Sequence, residues 1–199
     1  MRERYEEIEA LTLLKKHFPT YRGLDLFDKP DLIDKQNSIG VEVTMALNPN
    51  VEEREKYFIK HLKNHNRQEV TVAQLEKVEQ YGLSIVSADD TWEFDGGKML
   101  GLVRVFGMEE HEQLHNAINK KFTKKYAKLE RIDLYIFFRH VCRAGLSDAE
   151  IERLFCTAYR CQKEHGAIFE NIMIDFYSTL LILDLKNHEM QEIPYEEVG

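Results

Sequence analysis

The chain has 199 residues, of which 43% are hydrophobic and 31% charged, with four prolines. That composition describes a folded domain and excludes a disordered or fibrous segment. A chain of this length removes roughly 70% of its unfolded surface from water, so it requires no disulfide or structural metal to hold a core. Twenty-seven basic residues against 35 acidic ones leave a net charge of -8, which argues against coating nucleic acid by bulk charge.

Three cysteines, Cys142, Cys156 and Cys161, form no CxxC pair, so the expected compartment is the reducing cytoplasm. The N-terminal segment lacks the roughly 7–15-residue apolar run of a signal peptide. No stretch approaches the ~18–20 apolar residues that cross a bilayer, so neither secretion nor membrane insertion is expected.

In chain order, Ile8, Leu11, Leu14 and Phe18 recur at helical spacing and predict an amphipathic helix over 3–18, ended by Pro19 and Gly23. Leu32-Ile33 and Ile39–Ala46 predict two strands joined by the polar turn 35–38. Residues 52–80 are mostly charged and predict one broken helix or two consecutive ones. Strands are expected at 83–86 and 102–106, with a glycine-turned hairpin around 92–97 between them.

A long helix is expected over 108–129, followed by the apolar strand 132–138. Ser147 with Glu150 forms a capping box that opens another helix to about 164. The runs 172–177 and 180–185 complete the sheet as a hairpin. No linker or repeat divides the chain, so the expectation is one α/β domain, 1–199, carrying a helical insertion at about 52–80.

The segment Lys29–Thr44 carries the chemistry. Asp31 opens one strand, and Glu42 interrupts the apolar run of the next between Val41 and Val43. A carboxylate in a buried strand requires a cation or a donor, because burying it alone costs several kcal/mol. A divalent ion shared with Asp31 would serve, and hard oxygen ligands favour Mg²⁺ or Mn²⁺.

Pro30-Asp31, a turn and then Glu42-Val43-Thr44 resembles the catalytic hairpin of the PD-(D/E)XK, or restriction-endonuclease-like, nucleases. The resemblance implies an αβββαβ core with a mixed sheet, here with a helical insertion and a C-terminal helix-strand extension. It also implies Mg²⁺-dependent hydrolysis of a phosphodiester, with DNA as the expected nucleic acid and a homodimer left open. Asp31 and Glu42 would bind the metal. The family's lysine is absent, and Thr44 stands in its place, able to orient by hydrogen bonding but carrying no charge.

Two helices bear on this expectation. Glu7 falls within the apolar stripe of the first helix, and the resemblance makes it a supporting metal ligand. On the long helix Leu114, Ile118, Phe122 and Leu129 define the buried face. Lys125 lies between Ile118 and Leu129 on the helical wheel, and Lys121 lies at the edge of the stripe. Lys125, or failing it Lys121, is therefore the candidate for a lysine migrated from position 44. Snorkelling of both side chains to water is the alternative. Lys120, Lys124, Lys128 and Arg131 form a basic stripe suited to a phosphate backbone, although such a run is often only a solvated face.

Two other functions compete. His111-Glu112-Gln113-Leu114-His115 matches the HExxH pattern of zinc peptidases, with no obvious third ligand. Alternatively, the missing lysine at position 44 leaves a catalytically inactive binding or interaction module of the same fold.

Overall fold

The computed structural model describes residues 4–46, 57, 60–62, 70–80, 83–85, 91–94, 97–100, 102–104, 108–139, 143–176 and 178–195. The elements in chain order are α1 (Tyr5–His17), β1 (Asp25–Leu26), β2 (Leu32–Asp34), β3 (Ile39–Met45), α2 (Val72–Gln80), β4 (Leu83–Ile85), β5 (Thr91–Phe94), β6 (Gly97–Leu100) and β7 (Leu102–Arg104). They continue with α3 (Met108–Phe122), β8 (Arg131–Phe137), α4 (Asp148–His165), β9 (Asn171–Asp175), β10 (Thr179–Asp184) and β11 (Glu189–Pro194).

The chain forms two compact units, one of residues 1–46 and 111–199 and the other of residues 47–110. In the second, α2 accompanies two antiparallel pairs, β4 with β7 and β5 with β6. This unit runs well past the helical stretch expected at 52–80. Much of that stretch lies outside the described residues, but α2 falls within it.

Among the described residues of the first unit, seven strands form one mixed sheet in the order β1-β2-β3-β8-β9-β10-β11. The first three are an antiparallel meander; β3, β8 and β9 run parallel; β10 and β11 return antiparallel. Parallel neighbours require a crossover. The connection from β8 to β9 runs through α4, and α3 directly precedes β8. No helix among the described residues is long and apolar enough to cross a membrane.

Strand side chains alternate between faces, and this alternation divides the core in two. Val41, Val43, Tyr135, Phe137 and Met173 pack with Ala10, Leu13 and Leu14 of α1. On the other face Leu134, Ile136, Ile172 and Ile174 meet Leu114 and Ile118 of α3 and Leu154 and Phe155 of α4. Each such side chain, fully buried, contributes about 1.5–3 kcal/mol. Glu42 alternates with Val41 and Val43 and so falls on the α3 side, paired in register with Leu134.

Three expectations require correction. The buried face of α1 is centred on Ala10, Leu13 and Leu14, while Ile8 is 49% exposed, so the stripe is rotated from the one read at Ile8 and Leu11. The strand β11 is almost wholly exposed and lacks the apolar alternation that would have announced it. Helix α3 stops at Phe122 rather than near 129. Side chains take part in closing its end, since the Thr123 hydroxyl donates to Lys120 O at 2.9 Å and the Tyr126 hydroxyl to Lys121 O at 3.0 Å, which also accepts from Lys124 N at 3.2 Å. Bonds of this kind satisfy the orphan acceptors of a helix end and stop its propagation.

Helix α4 begins where expected. Ser147 is its N-cap and accepts from Glu150 N at 3.3 Å. The Glu150 carboxylate does not reach back to complete a capping box, and instead bonds His115 and Arg153.

Candidate active site

The β2–β3 hairpin fixes the first carboxylate through its own backbone. Asp31, just before β2, accepts a hydrogen bond from Val43 N at 2.8 Å, which ties its side chain to the neighbouring strand beside Glu42. Asp31 is partly buried, and burial pushes its carboxyl up to about 6; the Val43 amide opposes this, while the negative charges of Glu42 and Glu7 reinforce it.

Glu42 is only 3% exposed and faces the C-terminal end of α3. There the Lys121 ammonium donates to Glu42 Oε1 at 2.5 Å and to Val43 O at 2.9 Å. Lys121 is itself 7% exposed, and burial holds its pKa below the usual lysine value even though Glu42 favours the charge. Lys124, just past the helix, reaches the same Oε1 at 3.2 Å with a side chain open to solvent. Its partial burial opposes the ammonium form, but attraction to Glu42 outweighs that and raises its pKa. The Tyr126 hydroxyl is pushed up by burial and by Glu42 and Asp31.

Glu7 approaches from α1, where Arg4 Nε lies 3.2 Å from its Oε2. Its charge reaches Asp31, but among the described residues no three carboxylate, histidine or cysteine side chains gather closely enough to form a metal cage. Thr44 is half-buried and shares the Glu42 face of β3 by alternation.

The structure thus brings Asp31, Glu42 and Lys121 together and places Glu7 within electrostatic range. Lys125 does not join them. It lies beyond the end of α3 and is exposed, so the helical-wheel argument that preferred it to Lys121 fails with the helix that carried it. Within the basic stripe, Lys120 and Lys128 are exposed, whereas Arg131 is drawn elsewhere. Arg131 Nε bonds Asp133 Oδ2 at 2.7 Å, and its guanidinium lies 5.5 Å from the centre of the Tyr21 ring.

The HExxH pattern is also spoken for. Both ring nitrogens of His115 are engaged by α4, with Nδ1 at 2.8 Å from Thr157 Oγ1 and Nε2 at 2.9 Å from Glu150 Oε1. Glu112 is exposed, and the packing of α4 on α3 has turned the second histidine into a link between helices.

Sequence reasoning missed Tyr126 and an open cleft beside it. The loop 124–130 is pinned to the hairpin turn, since Glu130 N and Arg131 N both donate to Ser38 O, at 3.0 and 3.2 Å. Gly40 lets Pro30 and Leu129 close over β3, because a Cβ there would lie 2.4 Å from Pro30 Cγ and 2.6 Å from Leu129 Cδ1. Between this loop and residues 167–168 the cleft encloses about 430 Å³. A loop has no periodicity, so no pattern in the sequence pointed to it.

No family model, curated protein or solved structure matches this chain.

Proposed function

We propose that the Asp31–Glu42–Lys121 cluster is the active site of a metal-dependent phosphodiester hydrolase of the restriction-endonuclease-like kind, acting on nucleic acid, with DNA as the expected substrate. The observation that carries the reading is the Lys121 ammonium, 2.5 Å from Glu42 Oε1. It supplies from α3 the charge that Thr44 lacks. The strand order supports it as well, because an antiparallel meander followed by a helix and one parallel strand is the arrangement an αβββαβ core requires, and β1-β2-β3, α3 and β8 follow it.

The donor set suits Mg²⁺ or Mn²⁺. Mg²⁺ is commonly held by one or two carboxylates, with water and substrate phosphate completing its shell, so a cage of three protein ligands is not needed. Asp31 and Glu42 would hold it, with Glu7 adding charge from α1. Burial first, and the charges of Glu42 and Glu7 after it, raise the Asp31 carboxyl to about 6, and a bound cation would offset both. Such an ion, when bound, makes water more acidic and screens the charge that gathers on a phosphoryl group.

The chain's own residues do the rest. Val43 N holds Asp31 in place, and Val43 O and Glu42 hold the Lys121 ammonium at a fixed point. An ammonium fixed and shielded from water interacts with developing phosphate charge more strongly than one in solvent. Lys124, exposed and 3.2 Å from Glu42 Oε1, would meet the incoming phosphate.

A second reading has one observation in its favour. Lys121 spans both Glu42 and Val43 O and so neutralises the buried carboxylate without any metal, as an inactive binding module would need. Cleavage of plasmid and of single-stranded DNA, with Mg²⁺ or Mn²⁺, separates the two. The hydrolase reading expects wild type to cut at least about a hundredfold faster than Asp31→Ala, Glu42→Gln or Lys121→Met. Wild type cutting no faster than these variants would leave the binding module.

A further inference from the structure

The cleft beside the cluster has a composition of its own. Leu129, Ile132, Ile168 and Tyr126 give its lining an apolar part, and Ala167, which also lines it, is exposed. Lys124, Lys125 and Lys128 also line it, with Glu130 as the one acid among the lining residues. A lining that combines aromatic and apolar side chains with lysines suits a planar, uncharged group linked to anions, and a nucleobase with its flanking phosphates is such a group. An acidic peptide would use the lysines but leave Tyr126 and the apolar lining uncovered.

Lys124 joins the two places, since its side chain lines the cleft while its ammonium lies 3.2 Å from Glu42 Oε1. A group seated in the cleft is therefore a single side chain away from the catalytic carboxylate. The cleft wall is also fixed before any ligand arrives, because the 124–130 loop is held by the Ser38 carbonyl and by packing of Leu129 over Gly40.

We propose that this cleft seats one unpaired nucleotide next to the bond held at Glu42, which makes single-stranded nucleic acid the substrate class. This rests on the hydrolase reading for the position of the bond, but not for the cleft itself. In a duplex the base is stacked and paired, and would have to be pulled out to enter the cleft; in a single strand it can splay in directly.

Binding without cleavage tests this. A short fluorescein-labelled oligothymidylate and the same-length thymidylate–adenylate duplex are titrated in EDTA against the full chain by fluorescence anisotropy. An oligouridylate and a polyglutamate peptide serve as further arms. The single strand should bind at least about tenfold tighter than the duplex. Ala167→Trp, which adds bulk to the cleft from an exposed lining position in a loop, should weaken single-strand binding about tenfold and leave duplex binding unchanged. Lys125→Gln with Lys128→Gln is the second variant, and it should flatten the salt dependence of single-strand binding by about 0.7 for each phosphate that is no longer neutralised. A duplex bound as well as the single strand, a polyglutamate bound as well as the oligothymidylate, or both variants binding like wild type would overturn the proposal. Cleavage by wild type that is indifferent to Ala167→Trp removes the cleft alone, whereas tight single-strand binding with no cleavage at any metal concentration removes the hydrolase reading alone.

Discussion

Two pairs of carboxylates lie in the same sheet, and they are treated very differently. On the α1 face, Asp133 accepts from Tyr21 OH at 2.8 Å, Arg131 Nε at 2.7 Å, and Asn171 N and Nδ2 at 3.0 and 2.7 Å. Asp175 accepts from Tyr135 OH at 2.8 Å, from Arg139 and from Tyr195 OH. Both are 0% exposed, and their donors are ring hydroxyls, guanidinium groups and an amide held by the fold. By contrast, the donors to Asp31 and Glu42 among the described residues are one backbone amide, the Tyr126 hydroxyl and two lysines, one of them open to solvent. A carboxylate ringed by rigid donors has no coordination left to offer. On the hydrolase reading, the pair met by an amide and ammonium groups, with Lys124 open to solvent beside it, is the pair left able to take a ligand.

The comparison breaks most readily on stability. Asp175→Ala should lower the free energy of unfolding by about 3–5 kcal/mol, because it removes the acceptor shared by Arg139 and two tyrosines. Asp31→Ala should change it by less than about 1 kcal/mol, since the ionised group it removes is already disfavoured by burial and by Glu42. Urea unfolding at neutral pH measures both, and equal losses would erase the distinction between the two regions.

The lysines sharpen it further. Lys121→Met should reduce cleavage about 10²- to 10³-fold, the scale on which loss of a fixed transition-state donor is felt. It should also lower stability by about 1–3 kcal/mol by leaving Glu42 short of a buried partner. Lys124→Met touches the same oxygen from solvent, where an ion pair contributes at most about 1 kcal/mol, so its stability should stay close to wild type. Matching losses of stability in the two variants would show that the buried and the exposed lysine are equivalent.

Much of this site was legible before any coordinates. A lone Glu between Val41 and Val43 in an apolar strand, one turn away from Asp31, announces a buried carboxylate in want of a partner. The polarity of Ser147 before α4 and the apolar run of β8 were equally plain. What could not be read was decided by side chains acting on the backbone. Thr123 and Tyr126 end α3 by bonding its carbonyls, and that termination sets which lysine points at Glu42. The wheel drawn through 129 favoured Lys125 because it assumed a helix that these two hydroxyls stop. The same holds at His115, where HExxH spacing is real but the partner helix, invisible to a local pattern, occupies both nitrogens.

His115→Ala therefore belongs with the structural acids. It should cost about 1–3 kcal/mol by leaving the buried Glu150 without one of its partners, and it should leave the metal content of the purified protein unchanged. Stoichiometric zinc lost in either His111→Ala or His115→Ala would reverse that assignment.

The smallest expected effect is the dependence of stability on pH, and its sign differs from the common one for carboxylates. Asp31 has its carboxyl raised from 3.8 to about 6 in the folded chain, by burial first and by Glu42 and Glu7 after it. Between these values the folded state holds the proton that the unfolded state has released, so stability is greatest below about pH 4 and this contribution is lost as pH rises through about 6. Partial solvent access screens the effect to about 1 kcal/mol. The measurement is a difference: unfolding of wild type minus Asp31→Asn, in EDTA, across that range. Asp31→Asn keeps the shape and an acceptor for Val43 N but cannot ionise, so the difference should fall with rising pH and level off above about 7. A difference that rises instead would mean that Asp31 is stabilised as an anion in the folded chain, against the direction that its burial sets.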